Sequence, residues 1–294
     1  MALQELRGRT ALVTGGARGI GLALTSALRA EGMRVVVTDQ DEQALADAVR
    51  ELGSDDVLPR VLDVSSPEAW EEVVDEVWRQ VGPVDLLVNN AGMGVGAAPG
   101  TSPPRVWELP VEKFRQVVDV NLVGTLLGMR ALLPRMIARG TPAHVVNVAS
   151  MAGFLAPPGL GAYAASKFAV VALSEVAAAE LQEHGIGLSV VSPGGVATPF
   201  NESARRFGSS PQPTRPTDPA ATDARKMAPA SVADRVVRAI VAGDLHVFSH
   251  PEYAPLVAER QAAIAAAFGT SAEPGYRDPE DLLSRSRSPL HRPG

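Results

Sequence analysis

The sequence contains no cysteine, and its five histidines form no ligand motif such as H-E-x-x-H. The absence of cysteine excludes disulfide bonds, thiolate nucleophiles and cysteine-ligated metals. The missing histidine motif argues against a metal-dependent hydrolase. We therefore expect no metal site.

Positive charge and long apolar runs are also lacking. The net charge is −6, so no overall positive field attracts nucleic acid or anionic lipid. No stretch of about 18 uncharged apolar residues occurs, as a membrane-spanning helix would need. Residues 1–10 are charged ahead of the first apolar run, Ala11–Val13, unlike a signal peptide. We expect a cytoplasmic protein that binds neither nucleic acid nor membrane.

The composition is that of a folded protein, with 46% hydrophobic and 20% charged residues. Short β-branched runs alternate with helical patterns, which is typical of a parallel sheet covered on both faces. The predicted strands are Thr10–Thr14, Arg34–Thr38, Val57–Leu62, Val84–Asn89, His144–Ala149, Gly187–Ser192 and an edge strand at Leu245–Ser249. The predicted helices include Ile20–Glu31, Gln43–Leu52, Pro67–Val81, Ala162–Glu183 and Val232–Ala242. The pattern predicts a single doubly wound α/β domain with a parallel seven-stranded sheet, whose ligands bind at the carboxyl ends of the strands.

Two long stretches interrupt this alternation, Met93–Pro110 and Asn201–Ala230. Connections longer than about 12 to 15 residues are usually functional or disordered. We place the first at the rim of a pocket and the second, residues 201–230, as a substrate lid, with surface disorder as the alternative. The domain is predicted to span residues 1–268, and the tail, residues 269–294, to be disordered or packed on a partner subunit.

A glycine-rich turn, Thr14–Gly21, joins the first strand to the first helix. Glycines at Gly15, Gly19 and Gly21 would permit a tight turn and close approach of a pyrophosphate to the helix N-terminus. The alternative is a plain turn, because a lone glycine cluster is a weak signal. Its position directly after a strand favours a dinucleotide.

The end of the second strand bears on the choice of dinucleotide. Asp39 stands where a carboxylate can bind both ribose hydroxyls and repel a 2′-phosphate. Arg18, in the glycine turn, favours NADP instead, because a guanidinium could pair with that phosphate. Gln40 supplies no second cation. We predict NAD, with NADP left open by Arg18.

Tyr163 and Lys167 lie four residues apart in a predicted helix, hence on one face and about 6 Å apart along the axis. An ammonium beside a phenol would favour the phenolate and lower the pKa of the tyrosine. The alternative is a surface pair of no function. Ser150 follows a strand at the ligand-binding edge, and Asn121 by itself indicates a structural amide.

The chain resembles the short-chain dehydrogenases/reductases over residues 7–250. The motifs that carry the resemblance are Thr14–Gly21, Asn89-Asn90-Ala91-Gly92, Asn121, Ser150, Tyr163-x-x-x-Lys167 and Pro193-Gly194. The resemblance implies a Rossmann fold and a catalytic tetrad. In it, Tyr163 donates or accepts the proton, and Lys167 binds the nicotinamide ribose and lowers the tyrosine pKa. Ser150 orients the carbonyl or alcohol, and Asn121 anchors a proton-relay water.

The resemblance also extends the cofactor site around the glycine turn. Asn90 has a structural alternative, stabilising the central strand. The predicted cofactor-binding residues are Gly15, Arg18, Gly19, Ile20, Gly21, Asp39, Asp63, Val64, Asn90, Ala91, Gly92, Tyr163, Lys167, Pro193, Gly194, Val196 and Thr198.

A mostly apolar set is expected near the nicotinamide, comprising Met93, Val95, Met151, Phe154, Leu155 and Phe200. It predicts a secondary alcohol or ketone on a hydrophobic or aromatic skeleton, although several members could be ordinary core. Two alternatives stay open: an idle nucleotide-binding sensor or scaffold, and an epimerase or dehydratase that reuses its cofactor. The stretch Leu133–Ile137 and the helix after it resemble the family's subunit interface, which implies a homodimer or homotetramer.

Overall fold

The computed structural model describes residues 3–53, 56–95, 101–102, 104–200, 215–216, 226–268 and 290. Its centre is a seven-stranded parallel sheet with the strand order β3-β2-β1-β4-β6-β7-β9. The predicted parallel, doubly wound arrangement is confirmed. The seven strands are β1 (Thr10–Thr14), β2 (Arg34–Asp39), β3 (Val57–Val61), β4 (Leu86–Asn89), β6 (Ala143–Val148), β7 (Ile186–Ser192) and β9 (His246–Phe248).

The strand boundaries differ from the predicted ones by up to two residues. Val84 and Asp85 precede β4 instead of opening it. The Asp85 carboxylate accepts from the backbone N–H of Thr10 and from the guanidinium groups of Arg9 and Arg139. β9 is the predicted edge strand, and it pairs in parallel with β7.

Helices cover both faces of the sheet. Side chains of α1 and α7 pack with one face, and those of α3, α5 and α6 pack with the other. The helices are α1 (Gly19–Ala30), α2 (Glu42–Leu52), α3 (Pro67–Gln80), α4 (Val111–Val118), α5 (Gly124–Arg139), α6 (Gly161–Leu181), α7 (Pro229–Ala242) and α8 (Ala254–Ala266). Of these, α4 and α8 have no counterpart in the sequence prediction.

Alternation along the strands explains the two apolar cores. Leu12 faces the α3 side, whereas its neighbours Ala11 and Val13 face the α1 side, and all three are fully buried. Because both faces are covered, the strands contain continuous apolar runs. Burial of such side chains contributes about 1.5 to 3 kcal/mol each to folding.

The helix ends are defined by local signals. Asp41 and Ser66 cap α2 and α3 by accepting from backbone N–H groups three residues on, each at 3.1 Å. α5 stops at Gly140, which adopts the left-handed conformation with φ 61°. The first turn of α1 differs because its N-cap residue, Arg18, makes no side-chain capping bond.

Two helical segments, Val111–Arg139 and Gly161–His184, are long and apolar enough by length and composition to cross a membrane. The sequence prediction missed them because it required an uncharged run. About half of each apolar window is buried, 44% and 50% respectively. Core helices of soluble proteins pass the same test, and here both segments pack on the sheet.

The predicted lid, residues 201–230, falls mostly outside the described residues. Within it, β8 (Arg215–Pro216) pairs antiparallel with β5 (Thr101–Ser102), and Met227 bridges to Val196. α7 begins before the lid's predicted end. Of the predicted tail, the structure describes Leu290, which packs partly buried against the core on the α3 side.

Candidate active site

A cleft of about 1110 Å³ opens where the carboxyl ends of β1, β2, β4, β6 and β7 meet. It exceeds the roughly 300 to 1,000 Å³ of ordinary ligand pockets, so it has room for a large ligand such as a dinucleotide. Every residue predicted to bind the cofactor lines this cleft. Strand ends far apart in sequence meet here because parallel strands share one carboxyl edge.

The glycine turn after β1 has no space for a side chain at Gly15 or Gly21. Gly15 and Gly19 have φ values of 57° and 55°, which favour glycine. A Cβ on Gly15 would lie 2.9 Å from the Cα of Ala91, and one on Gly21 would overlap the carbonyl oxygen of Gly15. The turn therefore brings bare backbone to the surface of the cleft.

The N-terminal turn of α1 borders the cleft at Gly19, Ile20 and Gly21. This turn has no side-chain cap and no acidic residue. Its backbone N–H groups and the positive end of the helix dipole are thus available to an anion. The bare turn and this uncapped helix end fit the pyrophosphate of a dinucleotide.

Three charged side chains lie at the end of β2. Burial raises the pKa of Asp39 above its usual value, and the N–H of Asp41 and the nearby Arg18 oppose that shift. The backbone N–H of Asp41 donates to Asp39 Oδ1 at 3.1 Å. Arg18 Nη2 donates to Asp41 Oδ2 at 2.7 Å. Arg18 thus borders the cleft but pairs with Asp41.

Two asparagines hold the wall of the cleft together. Asn90 Nδ2 donates to the carbonyl oxygens of Thr14 and Gly15, at 2.9 and 3.0 Å, so the structural alternative for Asn90 is present in the structure. Asn121 is buried in a π-helical turn between α4 and α5 and exchanges two hydrogen bonds with the backbone of Met93. It ties the loop after β4 to the helices.

Ser150 and Tyr163 meet beyond the end of β6. The Ser150 hydroxyl accepts from the N–H of Ala152 at 3.1 Å and hydrogen-bonds the phenol of Tyr163. Burial raises the pKa of Tyr163 above its usual value of 10.0, and the bond with Ser150 opposes this. The phenol is therefore protonated at neutral pH.

Lys167 lies one helical turn from Tyr163 and is 3% exposed. Its Nζ donates to the carbonyl oxygen of Val148 at 2.7 Å and lies 5.8 Å from the centre of the Tyr163 ring. Burial lowers the pKa of Lys167 from 10.5 to about 8. The two side chains thus face one cleft, as their spacing predicted.

The predicted effect of Lys167 on the tyrosine needs correction. We expected the ammonium to lower the pKa of Tyr163, but here that pKa is raised by burial. The ammonium is directed at Val148. Desolvation of the phenolate is the largest effect on the pKa of Tyr163.

The apolar end of the cleft has five of the six predicted substrate residues, namely Met93, Val95, Met151, Leu155 and Phe200. Phe200 packs edge-on against Tyr163 with 5.6 Å between ring centres. The prediction for Phe154 was wrong, because its ring packs against Phe248 and His246 at 5.2 and 6.0 Å. Phe154 belongs to the packing around β9.

Several residues in or next to the cleft were not predicted from the sequence. His250 accepts from the N–H of Gly194 at 3.0 Å and pairs with the carbonyl oxygen of Gly195 at 3.1 Å, which holds the loop after β7. From α8, Leu256 and Arg260 border the cleft. No local sequence signal marks Leu256 or Arg260. Across the described part of the chain, no group of three or more His, Asp or Glu residues could hold a metal.

The comparisons with known proteins agree with this geometry. Residues 9–207 match the family model for short chain dehydrogenase, so the chain belongs to the short-chain dehydrogenases/reductases. It is an oxidoreductase of that family.

Two curated relatives and one solved structure illustrate the similarity. A 1-deoxy-11-beta-hydroxypentalenate dehydrogenase from Streptomyces exfoliatus is 40% identical over 67% of this chain and 70% of its own. An NADP-dependent (R)-specific alcohol dehydrogenase from Lentilactobacillus kefiri is 36% identical over 67% and 76%. A short chain dehydrogenase/reductase from Burkholderia phymatum in complex with NAD is 31% identical, with TM-score 0.82 over 93% of this chain and 99% of that one.

Proposed function

We propose that this protein interconverts a secondary alcohol and a ketone on a hydrophobic or aromatic skeleton, using NAD(H) and Tyr163 as general acid/base. One observation carries the proposal: Tyr163, Ser150 and Lys167 converge in the same cleft as the glycine turn and the uncapped end of α1. A nucleotide site alone would not need a half-buried phenol beside a buried ammonium.

In this mechanism the side chains manage one proton. In the reductive direction, the protonated Tyr163 Oη donates its proton to the carbonyl oxygen and afterwards regains a proton from solvent. The oxidative direction is the reverse: the phenol first loses its proton to solvent, and the phenolate then accepts the hydroxyl proton of the alcohol. The Ser150 hydroxyl orients the substrate oxygen. The nicotinamide supplies the hydride chemistry. Positioned proton transfer of this kind contributes about 10² to 10⁴ in rate.

Lys167 and Asn121 support the phenol in different ways. The Lys167 ammonium reaches into the cleft from its bond to Val148, where a nicotinamide ribose would meet it. Asn121 bonds the backbone of Met93 and the hydroxyl of Ser166. We assign Asn121 to holding the loop after β4 in place, with the relay water as the role that the family resemblance adds.

The lining of the cleft supports an apolar substrate. Met93, Met151, Leu155 and Phe200 present mostly carbon to the space beside the Tyr163 phenol. The two relatives described above are named for a 1-deoxy-11-beta-hydroxypentalenate and for an alcohol. A polyol would leave its hydroxyl groups unpaired against such walls, which is costly.

Asp39 supports NAD(H) over NADP(H). Its carboxylate borders the cleft at the end of β2, where it can accept from ribose hydroxyls and repels a 2′-phosphate.

A cytoplasmic location stays a prediction from the sequence.

A panel of alcohols and ketones tests the function directly. The purified protein is incubated with each substrate and with NAD or NADP, and the absorbance of the reduced nicotinamide is followed. We expect net turnover with alicyclic or aryl alcohols and little with polyols. Product without net change in reduced cofactor would favour the epimerase or dehydratase. Cofactor binding without any product across the panel would favour the sensor.

Assembly into a homodimer or homotetramer is also proposed. Leu133–Ile137 lies in α5, and the next helix is α6. These helices and α4 expose large apolar side chains, among them Phe114, Leu126 and Val176. Light scattering in solution should give a mass of at least two chains, and a stable monomer would contradict this assembly.

A further inference from the structure

Two residues with opposite preferences for the cofactor border the same end of the cleft. In dinucleotide-binding folds an acidic residue after the second strand binds the ribose 2′-hydroxyl, whereas a nearby arginine accommodates a 2′-phosphate. This chain has Asp39 and Arg18 in those places. Residue types alone therefore do not decide between NAD(H) and NADP(H), and the position of the guanidinium matters.

Asp41 fixes the position of Arg18. The guanidinium donates to Asp41 Oδ2 at 2.7 Å, and the side chain of Asp41 is only 7% exposed. Such a charge-assisted bond is stronger than a neutral one, and at this depth salt screens it little. The pair holds Arg18 against the N-terminus of α2.

Asp41 is itself fixed by further hydrogen bonds. Its Oδ1 caps α2 by accepting from the N–H of Ala44 at 3.1 Å, and its backbone N–H donates to Asp39 at 3.1 Å. The two oxygens of the Asp41 carboxylate thus accept different hydrogen bonds, Oδ1 from the N–H of Ala44 and Oδ2 from Arg18. A substitution can therefore remove the bond to Arg18 and keep the helix cap.

We infer that Asp41 determines the preference for NAD(H), because it keeps Arg18 from a 2′-phosphate. The inference rests on the proposed use of NAD(H) and names a residue that causes it. A 2′-phosphate adds about two negative charges beside Asp39. Its only nearby cation among the described residues at this end of the cleft is Arg18, which would have to leave Asp41 first.

Asp41→Asn tests the inference without a known substrate. Asparagine caps helices as well as aspartate does, so its oxygen can keep the bond to Ala44. Its amide nitrogen then faces the guanidinium and cannot accept from it. We expect the dissociation constant of NADPH, measured by nicotinamide fluorescence, to fall about tenfold, the effect of one charged hydrogen bond. The affinity for NADH should change much less.

Three further variants make the result decisive. Asp47→Asn removes the same charge from an exposed pair with Arg50 on α2 and should leave both affinities unchanged. Arg18→Gln combined with Asp41→Asn should lose the gain in NADPH affinity. If Asp41→Asn does not fold, as judged by thermal unfolding, Asp41→Ser gives the helix a cap with one oxygen and takes its place.

Two outcomes would overturn the inference. The first is a folded Asp41 variant whose NADPH affinity equals that of the wild type. The second is a gain that persists in the double variant, which would make it an effect of net charge alone. Wild-type protein that binds NADPH more tightly than NADH would instead refute the proposed cofactor preference, so the two failures are distinguishable.

Discussion

The two halves of the cleft differ in what lines them: backbone in one half and polar side chains in the other. The cofactor half consists of residues 10–92, as far as the structure describes them, and the loop after β7, and it presents bare backbone at Gly15, Gly19 and Gly21 beside an uncapped helix end. The catalytic half presents the side chains of Ser150, Tyr163 and Lys167. Backbone shape defines the first half and polar side chains define the second. Substitutions should therefore change binding in one half and proton chemistry in the other.

The largest effect should come from Tyr163→Phe in the catalytic half. Loss of the proton donor should lower turnover by about 10² to 10⁴. NADH binding, measured by fluorescence, should stay close to that of the wild type because the glycine turn is untouched. Tyr253→Phe removes a hydroxyl from the same cleft and should cost far less. Full turnover in Tyr163→Phe would contradict the proposed mechanism.

Lys167 should make stability depend on pH. Its pKa falls from 10.5 to about 8 on folding, so between these values the unfolded chain binds more protons than the folded one. The free energy of unfolding should then rise with pH across this window, by at most about 3 kcal/mol. Urea unfolding of the wild type and of Lys167→Met measures it. A variant with the same slope as the wild type would show that Lys167 is not the group responsible.

Gly21→Ala should damage the cofactor half through shape alone. The added Cβ would overlap the carbonyl oxygen of Gly15 and crowd Asn90. We expect a loss of about 1 to 3 kcal/mol in the free energy of unfolding and weaker NADH binding. At Gly195 a Cβ would find its nearest neighbour at 4.0 Å, so Gly195→Ala should cost far less. Equal effects at the two positions would contradict the claim that close backbone packing defines the cofactor half.

The smallest effect should come from His250→Phe, which keeps a ring but loses both hydrogen bonds to the loop after β7. We expect about 1 to 2 kcal/mol less stability and weaker binding of NADH, because the loop at Gly194 borders the cleft. His184→Ala, at an exposed position, is the matched control. Unchanged NADH binding would show that His250 does not position this loop.

The cofactor half could be predicted well because its information is local. The turn from Gly15 to Gly21 lies within one stretch of sequence, and Asp39 follows at the end of the next strand. The strand-and-helix alternation predicted the sheet for the same reason. The prediction for Phe154 failed because a residue near a strand end can face either the cleft or the neighbouring strand.

Periodicity and spacing in the sequence determined the parallel sheet, the glycine turn and the alignment of Tyr163 with Lys167, because each depends on residues a few positions apart. The tertiary structure decided the raised pKa of Tyr163, the lowered pKa of Lys167 and the pairing of Arg18 with Asp41. Those properties depend on how deeply a group is buried and which charge lies beside it. Both are set by contacts between segments far apart in the chain.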